Sequence, residues 1–269
     1  MSESVTTLMQ GASELARLAG NIARGFFRRE VRVETKSDGT PVTIADRRAE
    51  EFARQWIAER FPRDGILGEE LGIDRPDATR QWIIDPIDGT KAFIRGVPLW
   101  GTLVAVAEGP HVLAGAATFP AVNEHLAAGI GAGCWWNDVR CSVSAVDDVR
   151  SATVLVTDDR FAGNRVRAAA WEGLAARAAL SRTWGDCYGY LLVATGRAEA
   201  MVDDIVSPWD VAAFAPIIAE AGGVFTDWDG KPTPFGTGAV ATNSGVARAV
   251  RNALGVPALR PTSGGAEAG

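Results

Sequence analysis

RQWIIDPIDGTKAFIRG, residues 80–96, is the stretch on which both fold and chemistry turn. Trp82, Ile83 and Ile84 run into Asp85, and Pro86, Ile87, Asp88, Gly89 and Thr90 follow. A short apolar run bounded by Pro and Gly predicts a buried strand over 81–85. Pro86 fixes its own φ and carries no N–H, so a tight turn is expected with Asp85 and Asp88 on either side. In such a turn the Ile87 carbonyl can point the same way as both carboxylates. Three oxygen groups aimed at one point repel one another unless a cation lies among them. All are hard ligands, with no His or thiolate in the pattern, which suits Mg2+ rather than zinc or copper.

On the N-terminal side, Val5, Leu8, Met9, Ala12, Leu15, Leu18, Ala19, Ile22 and Phe26 recur at helical spacing over 4–27. A polar turn, KSDGTP (36–41), precedes a second helix over 43–60, and GILGEE (65–70) reads as a short strand. On the C-terminal side, 98–135 reads as a β meander. Beyond it a strand at 152–157 precedes a helix at 164–178. YLLVATG reads as a helix before a strand at 198–203, a helix follows at 209–221, and strands at 224–227 and 238–242. Helices and strands mixed in both halves predict a layered α/β or α+β sandwich. The expectation is one domain over 1–255, with a metal-site half (1–145) and an α/β half (146–255). The Pro-, Gly-, Ser- and Ala-rich tail at 256–269 is expected to be disordered.

A net charge of −6 indicates no broad basic surface, so nucleic acid is not an expected partner. No run approaches the 18 apolar residues of a membrane span, and MSESVTTLMQ lacks the pattern of a signal peptide. Cys134, Cys141 and Cys187 are odd in number and show no CxxC spacing, which favours reduced thiols in a cytosol. A soluble, cytoplasmic protein is the expectation.

Other carboxylates stand where elements begin or end: Asp46, Glu69, Glu70 and Asp210. Taken singly, Asp46 and Asp210 read equally well as first-turn acids of their helices, and GEE as a solvated loop. Taken together with residues 82–90 they carry a resemblance. GEE (68–70), WIIDPIDGT (82–90) and WDVAA (209–213), in that order, resemble the three signatures of the inositol monophosphatase superfamily. PVTIADRRAE (41–50) and EAGGVFTDWDG (220–230) resemble two further segments of it. The resemblance covers about residues 10–250. It implies a five-layered αβαβα sandwich of the inositol monophosphatase and fructose-1,6-bisphosphatase type. It also implies a Mg2+-dependent, lithium-sensitive phosphomonoesterase, commonly a homodimer.

By motif position, Glu69, Asp85 and the Ile87 carbonyl resemble the ligands of a first Mg2+, and Asp85, Asp88 and Asp210 those of a second. A third, weaker ion is associated with the mobile segment matching KSDGT (36–40). Thr90 and Asp46 resemble the pair that orients or deprotonates the attacking water, and Gly89 and Thr90 would offer N–H groups to the phosphate. Glu69 takes a catalytic as well as a ligand position. Two metals can clamp the attacking water and the leaving oxygen, and a Thr hydroxyl on a carboxylate can hold the water in line. No Cys or Ser stands out as a nucleophile, so direct attack by water is expected.

Within the superfamily, KAFIRGVPLW (91–100) and RTWGDCYGYLLVATGRAEAMVD (182–203) are most similar to the histidinol-phosphate phosphatase branch. Histidinol phosphate carries an ammonium and an imidazole, so its far end calls for carboxylates and an aromatic wall. Asp186, Tyr188, Asp203 or Asp204, and Asp210 are the candidates for that end. Asp186 and Tyr188 read equally as a helix cap and a core residue, and Lys91 and Arg95 as partners of neighbouring carboxylates. The expected activity is hydrolysis of L-histidinol phosphate to L-histidinol and phosphate, in histidine biosynthesis. The alternatives are an inositol-1-monophosphatase or broad sugar-phosphate phosphatase, and a transcription- or ribosome-associated factor in which catalysis is secondary. Trp56, Trp171 and Trp228 are expected in the core, Trp135 and Trp136 at a sheet edge or dimer contact, and His111 and His125 in turns or on the surface.

Overall fold

The structure is a computed structural model that describes residues 3–258. The expected disordered tail therefore falls, from 259 onward, outside the described residues. The first half opens with α1 (Val5–Arg24), capped by Ser4, whose hydroxyl accepts the Thr7 amide hydrogen at 3.1 Å. A small hairpin, β1 (Val33–Thr35) and β2 (Pro41–Thr43), leads into α2 (Ile44–Arg60). Then come β3 (Gly65–Gly68), β4 (Gly72–Asp74), β5 (Arg80–Asp88) and a single helical turn, α3 (Thr90–Phe93). A meander completes the half: β6 (Gly101–Glu108), β7 (His111–Phe119), β8 (Glu124–Gly129), β9 (Gly133–Trp136) and β10 (Val139–Arg140).

The second half holds β11 (Thr153–Val156), α4 (Arg165–Ala175), β12 (Leu180–Arg182), α5 (Cys187–Ala194) and β13 (Ala200–Asp203). Two short helices, α6 (Pro208–Val211) and α7 (Phe214–Glu220), are followed by β14 (Val224–Thr226), β15 (Ala239–Thr242) and α8 (Ala247–Leu254). The larger sheet runs β10-β9-β8-β7-β6-β5-β3-β4 and the smaller β12-β11-β13-β15-β14.

Three buried clusters set the layers. Leu8, Leu15, Trp56 and Ile57 of α1 and α2 pack on Trp82, Ile84, Val104 and Val106, one face of the larger sheet. Its other face, through Ile83, Leu103 and Ala105, meets Tyr190, Leu191, Phe214 and Ile217 of α5 and α7, which also cover Met201, Phe225 and Ala241 of the smaller sheet. Trp171, Leu174, Val250 and Leu254 of α4 and α8 cover the far side of that sheet. The order helix, sheet, helix, sheet, helix is the five-layered sandwich expected from the resemblance. Adjacent β5 residues point to opposite faces, so Ile83 and Ile84 belong to different cores.

The structure corrects several local readings. The expected turn after Asp85 is a β-bulge, because β5 continues to Asp88. Asp85 pairs with Leu103 and Asp88 with Gly101, so Pro86 and Ile87 oppose the single residue Thr102. The missing N–H of Pro86 is tolerated at a bulge, and its carbonyl accepts the Thr102 hydroxyl at 2.7 Å. The strand expected at 65–70 stops at Gly68, freeing Glu69 and Glu70 from the ladder. The helix expected at 209–221 is two helices, and α8 was not anticipated. Trp56, Trp171 and Trp228 are buried, as expected, and Trp135 and Trp136 lie beside the outermost strand. His125 is not on the surface: Ser13 and Thr118 hydrogen-bond its two ring nitrogens at 2.8 and 2.9 Å.

Candidate active site

Asp85, Asp88 and Asp210 come from the bulge of β5 and the first turn of α6, and each offers an oxygen within 4.8 Å of the others. Each carboxylate is fixed by one backbone N–H. Asp85 accepts from Ile87 (2.9 Å), Asp88 from Cys187 at the head of α5 (2.5 Å), and Asp210 from Ser207 (2.7 Å). None of the three pairs with a Lys or Arg among the described residues. Burial, and then the charges around each, push Asp85 and Asp88 well above the usual carboxylate range: Glu69, Asp88 and Asp210 act on Asp85, and Asp186 and Asp210 on Asp88. Asp210 is pushed up to about 7, again chiefly by burial. Such a set of fixed hard oxygens fits a divalent metal ion.

Glu69 stands at the same place, its N–H donating to the Ile84 carbonyl at 3.2 Å. Its carboxylate and that of Glu70 both hold the Lys36 ammonium, at 2.7 and 2.6 Å. Buried Glu50 builds the turn beneath, accepting the N–H groups of Glu70 (2.7 Å) and Leu71 (3.1 Å) while paired with Arg54 (2.8 Å). A Cβ at 68 would lie 2.0 Å from Glu50 Oε1, so any larger residue there must displace that carboxylate from the turn it holds.

Asp46 serves its helix and has an oxygen to spare. Oδ2 accepts the Thr43 N–H (2.8 Å) and hydroxyl (2.6 Å), a capping box at the start of α2, while buried Oδ1 has no partner. Thr90 and Asp46 are not hydrogen-bonded to each other here: the Thr90 hydroxyl donates to the Ile87 carbonyl at 3.0 Å. Gly89 takes φ +83, and a Cβ on it would meet the Leu99 carbonyl at 3.0 Å and Asp186 Oδ2 at 3.2 Å. Positive φ and close approach together call for glycine.

Two adjoining cavities open on these groups. A small one of about 120 Å³ is bordered by Glu69, Asp85, Asp88, Gly89, Thr90 and Asp210. The larger, about 620 Å³, extends toward β13 and is lined by eight carboxylates, of Asp38, Glu69, Asp88, Asp158, Asp186, Asp203, Asp204 and Asp210. Only Lys36 and Lys91 bring opposite charge among its lining residues. Arg95 is not among them; it donates to the Lys91 carbonyl at 3.1 Å.

Of the candidates for the far end of a substrate, Asp186, Asp203 and Asp210 line this larger cavity and Tyr188 does not. Two helical positions apart is about 200° around the axis, so Tyr188 and Tyr190 face opposite ways. Tyr188 packs on Phe119 and its hydroxyl lies 3.4 Å from Glu124 Oε1, toward the larger sheet. Tyr190 faces the cavity and donates to Asp203 Oδ2 at 2.7 Å. Burial pushes Asp203 up to about 6. Asp204 is taken by Arg167. Asp186, at φ +48, is held by its N–H on the Thr157 hydroxyl at 2.8 Å.

Sequence reasoning passed over Lys36, Thr157, Tyr190 and Cys187, all at this cavity. For Tyr190 a signal existed, because one of two tyrosines two positions apart on a helix must face away from the other. Cys187 is fully buried, and burial and then the charge of Asp88 push its thiol well above the usual range, which disfavours the thiolate.

The model of the inositol monophosphatase family matches residues 4–256. Histidinol-phosphatase of Chlorobaculum parvum is 43% identical over 93% of this chain and 98% of its own length. The histidinol-phosphatase of Mycobacterium tuberculosis is 38% identical over 88% and 90%. Among solved structures, the extragenic suppressor protein suhB of Bartonella henselae superposes with a TM-score of 0.87 at 26% identity, covering 92% of this chain and 98% of that one. An IMPase of Thermotoga maritima gives 0.84 at 30% identity, over 93% and 97%.

Proposed function

The chain belongs to the inositol monophosphatase family, and from that premise we propose that it is a Mg2+-dependent phosphatase that hydrolyses L-histidinol phosphate to L-histidinol and phosphate. The observation that carries the substrate is that Asp186 and Asp203 line the larger cavity outside the proposed metal set and form no ion pair among the described residues, whereas Asp158 and Asp204 are paired with Arg160 and Arg167. Such a pair attracts an organic cation and disfavours a second anionic group. An ammonium and an imidazole beyond the phosphate meet that demand. The relatives named histidinol-phosphatase support the same reading.

Glu69, Asp85, the Ile87 carbonyl, Asp88 and Asp210 would hold two or three Mg2+ ions, which supply the positive charge a phosphate dianion needs among so many carboxylates. The remaining work belongs to the chain. The N–H groups of Gly89 and Thr90 receive phosphate oxygens at the smaller cavity. Thr90 would turn its hydroxyl from the Ile87 carbonyl to orient the attacking water, and the unpartnered Oδ1 of buried Asp46 would accept a hydrogen bond from that hydroxyl rather than meet the water itself. Asp186 and Asp203 receive the cationic end, with Tyr190 fixing the Asp203 carboxylate. Assembly as a homodimer, inhibition by lithium and a cytoplasmic place in histidine biosynthesis belong to the same proposal, on the strength of the family resemblance.

A substrate panel assayed with Mg2+ tests it. Phosphate release from histidinol phosphate should exceed that from inositol 1-phosphate by roughly tenfold or more in kcat/KM. Comparable or reversed values overturn the substrate assignment, and full activity in chelator overturns the metal.

A further inference from the structure

Cys134 and Cys141 lie on the hairpin at the end of the larger sheet, away from the active site. Their sulfur atoms are 3.3 Å apart, with both residues present as free thiols. Register explains the meeting. Trp136 pairs with Val139 and Trp135 with Arg140, so Cys134 falls opposite Cys141, whose N–H donates to the Cys134 carbonyl at 3.1 Å. Asn137 and Asp138, both at positive φ, form the two-residue turn that fixes this register. Directly opposed strand residues have Cα atoms roughly 4.5–5.5 Å apart, inside the range a disulfide spans. The base of the hairpin is further pinned by the N–H groups of Gly131 and Gly133, which both donate to the Glu220 carboxylate at 2.8 Å.

We propose that Cys134 and Cys141 are a reversible oxidation site that closes to an intrahairpin disulfide on reaction with a small-molecule disulfide. The two thiols differ in a way that orders the steps. Cys141 is partly exposed and open to an oxidant, whereas Cys134 is fully buried beneath it. The Cys141 thiolate attacks one sulfur of the oxidant and expels one thiolate, leaving a mixed disulfide. Cys134 gives up its proton, attacks the Cys141 sulfur and expels the second thiol. Two protein thiols are oxidised, and one disulfide is reduced to two thiols.

The test treats the reduced, folded wild-type protein with oxidised glutathione, quenches by alkylation and maps the peptides by mass. The expected product is one cross-link between Cys134 and Cys141, lighter by two hydrogens and reversed by dithiothreitol, with Cys187 alkylated only after unfolding. Cys134→Ser should stop with glutathione attached to Cys141. A wild-type protein that accumulates glutathione on Cys141 without the cross-link would overturn the proposal. So would one that stays fully reduced when folded, or one that links either residue to Cys187. Because the wild-type arm decides, poor folding of the variant leaves the result readable.

Discussion

The two ends of β5 bury carboxylates in opposite ways. At its start, Asp64 accepts two hydrogen bonds from Arg80 (2.7 and 3.0 Å) and one from the Trp82 indole (2.9 Å), and Arg80 is also met by Glu3 at 2.6 Å. At its end, Asp85 and Asp88 share a site with Asp210 and, among the described residues, accept hydrogen bonds from backbone N–H groups alone. The first cluster carries its own counter-charge and needs nothing from outside. The second is unfavourable by itself and is held in place by the bulge, two helix starts and the surrounding core. The first arrangement is architecture, and the second is the one proposed to take a cation.

Substitution at each end should therefore act on different quantities. Asp88→Asn is expected to lower kcat by roughly a thousandfold or more, from loss of a proposed metal ligand. The metal-free variant should unfold no earlier than wild type, because a repulsive charge has been removed. A steady-state assay beside a thermal melt reads both. Asp64→Asn should do the reverse, costing about 3 kcal/mol of stability by leaving Arg80 short of its buried partner, with kcat retained below the unfolding temperature. If Asp64→Asn also abolished turnover in folded protein, the two ends of the strand would not be separable.

A third effect is smaller and concerns pH. Burial, and then the charge of Arg17, push His125 down to about 3 from an ordinary 6.5. Below about pH 6.5 the unfolded chain takes up a proton that the folded chain refuses, so stability is lost as pH falls from there toward 3. Denaturant midpoints measured at steps from pH 7 to 4.5 should decline more steeply for wild type than for His125→Gln. Equal slopes would contradict the assignment. The smallest effects distinguish the tyrosines. Tyr190→Phe should raise KM by about tenfold with little change in kcat, whereas Tyr188→Phe should change either by less than about twofold.

Much of this was legible in the chain. The apolar run ending in Asp85 and Asp88 marked both a core strand and a cation site, because apolar burial and charge repulsion are local properties of residues 82–88. The layered architecture followed from the alternation of helical and strand patterns. Other features depend on chain segments far apart in sequence. The Asp64–Arg80 pair looks from sequence like two ordinary surface charges 16 residues apart. The bulge could not be told from a turn, since only the partner strand shows that Thr102 stands opposite two residues. His125 gave no sign of burial because its partners, Ser13 and Thr118, come from α1 and β7. Lys36 lay in a loop noted for mobility, and its ion pairs with Glu69 and Glu70 appear only on folding. The Cys134–Cys141 contact was closer to legible: an Asn-Asp turn between two short β runs sets its register.

The central claim is that the uncompensated acids at the end of β5 form the divalent-metal site. Calorimetric titration of Mg2+ into metal-stripped protein tests it most directly, with wild type, Asp88→Asn and Asp64→Asn compared under conditions where all three are folded. Wild type and Asp64→Asn should bind Mg2+ alike, and Asp88→Asn should bind it at least tenfold more weakly or not at all. Equal binding by Asp88→Asn and wild type would contradict the account.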